Sequence, residues 1–372
     1  MHTGFGFSLI AEEGSARVGV LYTAHGEVPT PVFMPVATHG ALRAFPHHLL
    51  PQAPLLLANT YHLYLRPGMD ILEEAGGLHR FMGWERPILT DSGGYQVFSL
   101  AQRRSLSEEG VLFKSHVDGS LHLLTPEKAV AIQRCIGSDI QMVLDVCPPY
   151  PASEGEMWEA LDLTHKWARR ARFSFLENPF AYGYPVLQFG IVQGGVDVHL
   201  RRASWEALQA LEFEGWAVGG LAVGEPFELR APILHLMGTL LPKEKPRYVM
   251  GLGTPRDILE AIAAGMDMMD CVLPTRNARH GLLYSWEGIR NIKNHCYRND
   301  FTPLMPWGYT RAYLHHLFRV EDPLALVIAT AANLYFFLDL VREARQHILL
   351  GDFHLWRKER VEPLMQRHRG TS

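Results

Sequence analysis

The sequence predicts an α/β fold, a (β/α)8 TIM barrel with a C-terminal helical subdomain. Eight short apolar runs recur along the chain, and each is followed by a polar or glycine-rich turn and then by a helical pattern. Continuous apolar strands that alternate with helices indicate a parallel sheet covered on both faces. Eight such units favour a closed barrel, although counting alone leaves a long doubly wound sheet open. The runs span residues 32–36, 55–58, 87–90, 140–144, 186–192, 216–218, 247–250 and 266–269.

Length and composition describe a globular protein with an ample core. The 372 residues are 47% hydrophobic and 20% charged, enough for one large barrel with additions or for two ordinary domains. The formal net charge of −4 excludes a protein that coats nucleic acid indiscriminately, so any RNA site must be a local basic patch. Four scattered cysteines without a CxxC pair, together with an N-terminal segment that lacks a signal-peptide pattern, predict a cytoplasmic location.

The chain is predicted to divide into three parts. Residues 1–281 form the main part of the barrel with its functional loops, 282–355 a C-terminal subdomain, and 356–372 a basic tail. The subdomain begins with a short hairpin at 282–286 and 289–292 and continues as an irregular stretch. Two helices follow, near 311–318 and 324–348. The most apolar segment, at 324–338, is too short to span a membrane and indicates a buried helix.

The turns that follow the apolar runs contain the candidate functional residues. In a barrel these turns meet at the C-terminal face, where active sites of this fold lie. Asp91 precedes a pair of glycines that allow close backbone approach to a ligand, although a helix cap is the simpler explanation of that position. Asp145 suits recognition of amino groups on the edge of a base, and a hydrogen bond that stabilises the turn is the alternative. Gln193 and the glycines at 194–195 and 219–220 supply donors and acceptors for a planar heterocycle.

Asp270 is a candidate nucleophile beside a candidate phosphate clamp. It ends an apolar run and precedes a predicted loop that contains Arg276 and Arg279. A helix cap explains it poorly, because Pro274 disfavours helix at the residue before it. Guanidinium groups match phosphate oxygens in geometry, and surface salt bridges are the alternative for the two arginines.

Seven long motifs in one order resemble a single family, the bacterial type of the tRNA-guanine transglycosylases (queuine tRNA-ribosyltransferases). The resemblance covers residues 32–348, most of the chain. The motifs are NTYHLYLRPG from Asn59, TDSGGYQVFSL from Thr90, EEGVLFKSHVDGS from Glu108, GIVQGG from Gly190, AVGGLAVGE from Ala217, MGLGTP from Met250 and DCVLPTRNARHG from Asp270.

The resemblance implies exchange of guanine at the anticodon wobble position of GUN tRNAs for a 7-deazaguanine. PreQ1 is the favoured incoming base and queuine the alternative. By the same resemblance, Asp270 attacks the ribose C1′ and Asp91 is the general acid/base, the double-displacement logic of retaining glycosidases. Arg276 and Arg279 fall where the family holds the RNA backbone. The residues implied in base recognition are Asp145, Gln193, Gly220, Leu221 and Ser92, with Tyr95 and Met250 on the two faces of the ring.

The sequence departs from the family at its zinc clasp. The family has Cys-x-Cys-x-x-Cys before the helix that here begins at Arg311, plus a later histidine. In this chain residues 304–308 run directly into that helix without cysteine, and Ala332 stands at the histidine position. We therefore expect no metal and no other cofactor, with hydrophobic packing in place of the zinc. The resemblance also implies a homodimer, and the sequence indicates no membrane association.

Two alternatives to this enzyme remain at the level of sequence. The lost zinc ligands fit a non-catalytic tRNA-binding partner of such an enzyme, although the presence of both Asp91 and Asp270 argues against it. Base exchange on a different polymer, such as DNA, is the other. Val223 at its position resembles the bacterial enzymes whose incoming base is the small preQ1. Val146 stands where the family often has glutamate, and it keeps queuine as an alternative incoming base.

Overall fold

Five sheets organise the part of the chain that the computed structural model describes, residues 5–100, 104–178 and 180–368. The strands, in chain order, are β1 (Gly6–Glu13), β2 (Ala16–Thr23), β3 (Gly26–Thr30), β4 (Val32–Ala37), β5 (Leu56–Ala58), β6 (Ile88–Thr90), β7 (Arg104–Leu106), β8 (Val111–Lys114), β9 (Leu121–Leu124), β10 (Ile140–Met142), β11 (Leu187–Val192), β12 (Gly215–Val218), β13 (Arg247–Val249), β14 (Met268–Cys271), β15 (Leu282–Ser285), β16 (Gly288–Asn291), β17 (Pro303–Leu304), β18 (Tyr309–Thr310) and β19 (Arg367–His368).

Eight parallel strands close into a barrel. They follow the order β4, β5, β6, β10, β11, β12, β13 and β14, and β14 pairs with β4 to complete the circle. Each of the eight predicted apolar runs forms one of these strands, so the predicted (β/α)8 barrel is confirmed. The antiparallel sheet β1–β3 precedes the barrel, and the antiparallel sheet β7–β9 is inserted between β6 and β10.

Helices alternate with the barrel strands and cover the outside of the sheet. The capping boxes Ser153–Glu156 and Thr254–Asp257 fix the starts of two of them. The α-helices are α1 (Thr60–Leu65), α2 (Met69–Ala75), α3 (Leu78–Met82), α4 (Gly94–Leu100), α5 (Pro126–Ile136), α6 (Glu154–Glu177), α7 (Val198–Leu208), α8 (Phe227–Leu240), α9 (Pro255–Ala263), α10 (Leu273–Ala278), α11 (Arg311–Arg319), α12 (Leu324–Leu350) and α13 (Phe353–Met365). Short 3-10 helices span His47–Leu49, Gln209–Leu211 and His295–Asn299.

The long helix α12 packs against β4 and thereby closes the ring of helices. The Phe33 and Phe337 ring centroids lie 5.1 Å apart across this contact. The buried Asn333 amide ties α12 to α10 and β15, because it donates to the carbonyls of Pro274 (2.9 Å) and Leu282 (3.0 Å) and accepts from the Tyr284 N–H (2.9 Å). The predicted hairpin and both predicted helices of this region are confirmed as β15–β16, α11 and α12.

Two local expectations differ from the structure. The segment after Asp270 was expected as a loop, but Leu273–Ala278 forms the short helix α10. Pro274 lies in its first turn, where a backbone N–H has no acceptor within the helix, so the missing N–H of proline costs nothing. The apolar segment at 324–338 was expected to be too short to span a membrane, whereas the helix that contains it, α12, runs for 27 residues. By length and composition it could cross a membrane, but 72% of its apolar window is buried in the protein, as in the core helix of a globular fold.

Candidate active site

The three carboxylates singled out in the sequence stand at the C-terminal ends of barrel strands. Asp91 follows β6, Asp145 lies shortly after β10, and Asp270 is the last residue but one of β14. Parallel strands in a barrel bring these ends to one face. Asp91 and Asp145 are close enough for their charges to interact, and so are Asp91 and Asp270. The structure therefore brings together residues that are up to 179 positions apart (270 − 91).

Asp91 is held by the start of α1. Its Oδ2 accepts from the Asn59 amide at 2.6 Å and its Oδ1 from the Thr60 backbone N–H at 2.8 Å. Burial raises the pKa of Asp91 to about 6, the two hydrogen bonds oppose that shift, and the charge of Asp270 adds to it. A carboxyl group with a pKa near the working pH both gives and takes a proton, which is the property a general acid/base needs.

Asp270 is oriented through one of its two oxygens. Its Oδ1 accepts from the Tyr248 hydroxyl at 2.6 Å and from the Gly251 backbone N–H at 2.8 Å. Burial raises the pKa of Asp270, and these two hydrogen bonds oppose that shift. The bonds leave Oδ2 as the oxygen free to face a substrate. Tyr248 was missed by the sequence reasoning, although it lies in the run 247–250, three positions before the glycine-rich turn that begins at Gly251.

Asp145 and Gln193 form a buried pair that can read one edge of a heterocycle. The Gln193 amide donates to Asp145 Oδ2 at 2.6 Å, and burial raises the pKa of Asp145 to about 6. Gln193 Oε1 is buried without a protein partner. A Cβ at Gly219 would lie 2.5 Å from Gln193 Nε2, and one at Gly220, where φ is +65°, would lie 2.5 Å from Oε1. These two glycines therefore leave the space that the Gln193 amide occupies.

The other base-recognition candidates surround this pair at different depths. Ser92 and Leu221 are buried, and the Ser92 hydroxyl accepts from the Gly94 N–H at 3.3 Å. Met250 follows β13 and packs partly buried against the barrel core. Tyr95 is half-exposed on α4 and lines a cavity of about 590 Å3. The placement of Tyr95 and Met250 on opposite faces of a ring stays a prediction.

Arginine side chains form a basic patch beside Asp270. Arg276 is exposed on α10 and Arg279 follows the same helix half-buried. Burial lowers the pKa of Arg279, and the positive charges of Arg43 and Arg276 lower it further, which places the three guanidinium groups near one another. Arg43 was missed by the sequence reasoning, because it lies in the turn after β4, far from the other two along the chain. Clustered guanidinium groups suit binding of phosphate oxygens.

The C-terminal subdomain, where the resemblance implies a zinc clasp, has an apolar core. Ala332 is partly buried on α12, and the side chains at 304–306 supply no nitrogen, thiol or carboxylate ligand. Such a donor set does not fit zinc, which takes Cys, His and carboxylate ligands. The apolar cluster in its place consists of Ala278, Leu283, Ile292, Tyr297, Leu314, Leu317, Ala325, Ile328 and Ala329.

One group of potential metal ligands, His25, His79 and Asp139, lies near the opposite end of the barrel. The two imidazole rings stack with centroids 3.7 Å apart and an interplanar angle of 15°. A metal ion binds in the plane of an imidazole, so two parallel stacked rings do not point to one ion. Asp139 instead bonds the His25 ring nitrogen (2.8 Å) and the Ile88 N–H (2.9 Å). This group is part of the scaffold.

Comparisons with known proteins show which sequence family this chain matches. A sequence model of the family described as Queuine tRNA-ribosyltransferase matches residues 12–366. A protein of that name from Lawsonia intracellularis is 49% identical over 367 residues, covering 96% of this chain and 98% of its own. Similar relatives of the same name occur in Solidesulfovibrio magneticus (50% identical, covering 95% and 96%) and Francisella tularensis subsp. novicida (45%, covering 95% and 97%).

Proposed function

We propose a residue-level mechanism from the premise that the chain belongs to the queuine tRNA-ribosyltransferase family. The protein is a tRNA-guanine transglycosylase, a pentosyltransferase that exchanges guanine in tRNA for a 7-deazaguanine. The observation that supports the mechanism best is the pair Asp270 and Asp91. One carboxylate is oriented through a single oxygen by Tyr248 and Gly251, and the other, close to it, has a pKa of about 6.

In the first half of the reaction Asp270 displaces guanine. Its Oδ2 forms a bond to the ribose C1′ of the wobble nucleotide while the bond between C1′ and the guanine nitrogen breaks. The electron pair of that bond goes to guanine, and protonated Asp91 supplies the proton that the leaving base needs. The base must be out of its stack for this attack. The product is a covalent ester between Asp270 and the tRNA ribose.

In the second half the incoming 7-deazaguanine takes the place of guanine. Its ring nitrogen bonds to C1′, the ester bond to Asp270 breaks, and the proton of that nitrogen passes to the Asp91 carboxylate. Both aspartates return to their starting states, so no cofactor or redox partner is consumed. Retention of configuration follows from two successive displacements at one carbon.

Asp145 is proposed to read the base as a carboxylate, and this makes base affinity depend on pH. The carboxylate accepts from N1–H and the 2-amino group, as carboxylates do on bases. With the pKa of Asp145 raised to about 6, the accepting form is lost as pH falls through that value. We expect the Kd of free guanine, measured by calorimetry, to rise as pH falls below about 6. In Asp145→Asn affinity falls roughly 100-fold or more and loses this pH dependence; an unchanged pH dependence in the variant would contradict the assignment.

PreQ1 is the proposed incoming base, because Val223 resembles the residue of enzymes that take this small base. Val223 lines both the cavity around Tyr95 and the pocket at Gln193 and Gly220. Queuine is a second candidate, and the cavity of about 590 Å3 favours it because Val146, where the family often has glutamate, leaves room on one side of a cavity that Glu156 and Glu159 also line. Competition of preQ1 and queuine for displacement of labelled guanine separates the two. Displacement by preQ1 alone supports the first, and displacement by both supports the second.

Activity is proposed to be independent of zinc. Full burial of a large aliphatic or aromatic side chain contributes roughly 1.5–3 kcal/mol. The six large side chains of the apolar cluster (Leu283, Ile292, Tyr297, Leu314, Leu317 and Ile328) therefore contribute on the order of 10 kcal/mol, comparable to the ~10–16 kcal/mol of a structural zinc ion. We expect purified protein to hold no stoichiometric zinc, and EDTA to change neither the melting temperature nor the exchange rate. One tightly held zinc per chain would contradict this.

The basic patch of Arg43, Arg276 and Arg279 is proposed to hold the RNA backbone near the wobble nucleotide, in a cytoplasmic enzyme that does not bind membranes. A homodimer is proposed through the segment 301–313, where Phe301 and Met305 are 72% and 74% exposed. Burial of such side chains favours association. Sedimentation velocity at micromolar concentration should show a dimer; a monomer there would remove this proposal.

Exchange of labelled guanine into unmodified tRNA with a GUN anticodon tests the proposed function. We expect incorporation at the wobble position, with no incorporation into a tRNA whose wobble base is not guanine or into DNA of the same sequence. Binding of tRNA without incorporation would replace the enzyme by a non-catalytic tRNA-binding partner. Incorporation into the DNA would change the polymer and leave the base chemistry intact.

A further inference from the structure

Arg201 on α7 is a buried charge that none of the reaction steps above uses. Its side chain is fully buried, and its guanidinium group bonds only main-chain oxygens among the described residues. Burial lowers the pKa of Arg201 to about 9. A buried guanidinium without an ion-pair partner costs stability, so its presence needs a compensating role.

The three oxygens that Arg201 binds belong to the two base-recognition turns. Nε donates to the Gly195 carbonyl at 2.9 Å, and the two terminal nitrogens donate to the carbonyls of Val192 and Gly219, each at 2.7 Å. Val192 and Gly195 flank the Gln193 turn after β11, and Gly219 begins the turn after β12. One rigid guanidinium therefore sets the distance between the turn that holds Gln193 and the turn that holds Gly220.

The bond to Gly219 also acts on the donor strength of Gly220. The Gly219 carbonyl and the Gly220 N–H belong to one peptide group. The positively charged Arg201 guanidinium next to the carbonyl oxygen polarises that group. Hydrogen bonds in a chain strengthen one another in this way, most strongly where water is excluded. The N–H of Gly220 thus becomes a better donor to an acceptor on the opposite side, such as the 6-oxygen of a guanine-type base.

We propose that Arg201 is the positioning residue that makes the site selective for a base with an oxygen at position 6. It acts through Gly220 and Gln193 and does not touch the base. The inference rests on the proposed function and on the base recognition that the resemblance implies for these two residues. It assigns recognition of the 2-amino group to Asp145 alone, so the 6-oxygen and the 2-amino group on this edge of the base are read by different residues.

Analogues that differ at one position separate the recognition of these two groups. 6-Thioguanine replaces the 6-oxygen by sulfur, a weak acceptor, and keeps N1–H and the 2-amino group. Hypoxanthine keeps the 6-oxygen and lacks the 2-amino group. In Arg201→Met we expect the KM for guanine to rise roughly tenfold or more and the preference for guanine over 6-thioguanine to fall by a similar factor. The preference for guanine over hypoxanthine and the Kd for tRNA should not change.

Arg247→Met is the matched control. Arg247 is a buried arginine whose side chain also bonds main-chain oxygens, those of Leu241, Pro242 and Gly265, but it begins β13 at the opposite end of the barrel. We expect this variant to lower the melting temperature and to keep both base preferences. The contrast between the two variants separates positioning of the base from general loss of stability.

Several results would overturn the proposal. Equal weakening of all bases in Arg201→Met, or an unchanged preference against 6-thioguanine, would leave Arg201 a purely structural role. If Arg201→Met does not fold, Arg201→Lys decides, because one ammonium group cannot span three carbonyls. That variant should lose part of the 6-oxygen preference, and a folded Arg201→Lys enzyme with the full preference contradicts the inference. Guanine exchange by the wild type tests the proposed function separately.

Discussion

Replacing Asp270 by asparagine is expected to abolish guanine exchange while tRNA binding stays intact. The asparagine side chain keeps the shape and can still accept from Tyr248 and Gly251, but it is a poor nucleophile and carries no charge to stabilise positive charge developing at C1′. Loss of an enzyme nucleophile costs on the order of 10⁴-fold or more in kcat. Single-turnover assays with labelled tRNA measure the rate, and a denaturing gel detects the covalent adduct between protein and tRNA.

Tyr248→Phe gives the graded comparison for this result. It removes only the 2.6 Å hydrogen bond from the hydroxyl to Asp270 Oδ1 and leaves the Gly251 N–H in place. We expect the adduct to form, roughly 10–100-fold more slowly, because the nucleophile is less well oriented. If Asp270→Asn keeps more than about one hundredth of the wild-type rate and still forms an adduct, Asp270 is not the nucleophile.

Asp91→Asn has the second largest expected effect, a loss of roughly 10²–10⁴-fold in both halves of the reaction. An amide at this position neither protonates the leaving guanine nor accepts the proton of the incoming base. Binding of tRNA should be unchanged, since Asp91 is buried under the base site and is bonded by Asn59 and Thr60. Retention of a wild-type exchange rate would assign proton transfer to another group.

The pH dependence of the two half-reactions distinguishes this role from a structural one. Burial raises the pKa of Asp91 to about 6. Departure of guanine needs the protonated form, so at saturating tRNA the rate of adduct formation should fall as pH rises through about 6. Capture of the incoming base needs the carboxylate, so at saturating concentration of that base its rate should rise over the same interval. In Asp91→Asn the rates of adduct formation and of base capture should both be slow and should no longer change through about pH 6. Rapid quench at several pH values measures both rates.

The barrel, and the face of it at which the three carboxylates meet, were predictable from the order of residues. Strands buried on both faces have continuous apolar runs, and the polar residues after each run stand at one end of a parallel barrel whatever the helices between them contain. For this reason Asp91, Asp145 and Asp270 could be singled out without a structure. The roles of these residues came from resemblance to a family, because a short sequence pattern cannot tell a nucleophile from a helix cap.

The tertiary structure alone decided which groups act on these carboxylates. Tyr248 bonds Asp270 across 22 positions of sequence, and Arg201 reaches the Gly219 carbonyl across 18. No local sequence pattern identifies either residue, because its hydrogen-bond partner depends on which strand ends lie side by side in the fold. The helix at Leu273–Ala278, expected as a loop, likewise has a distant partner, because the Asn333 amide of α12 donates to the Pro274 carbonyl.

The sequence alone was therefore enough to predict the fold class and the family of this protein. Strand pattern and motif are local properties of the chain, and local properties are readable in one dimension. The pKa values near 6 at Asp91 and Asp145, the orientation of Asp270 and the buried charge of Arg201 were decided only in three dimensions. The physical reason is that desolvation and hydrogen-bond geometry depend on every segment that closes around a group, and these segments come from all parts of the chain.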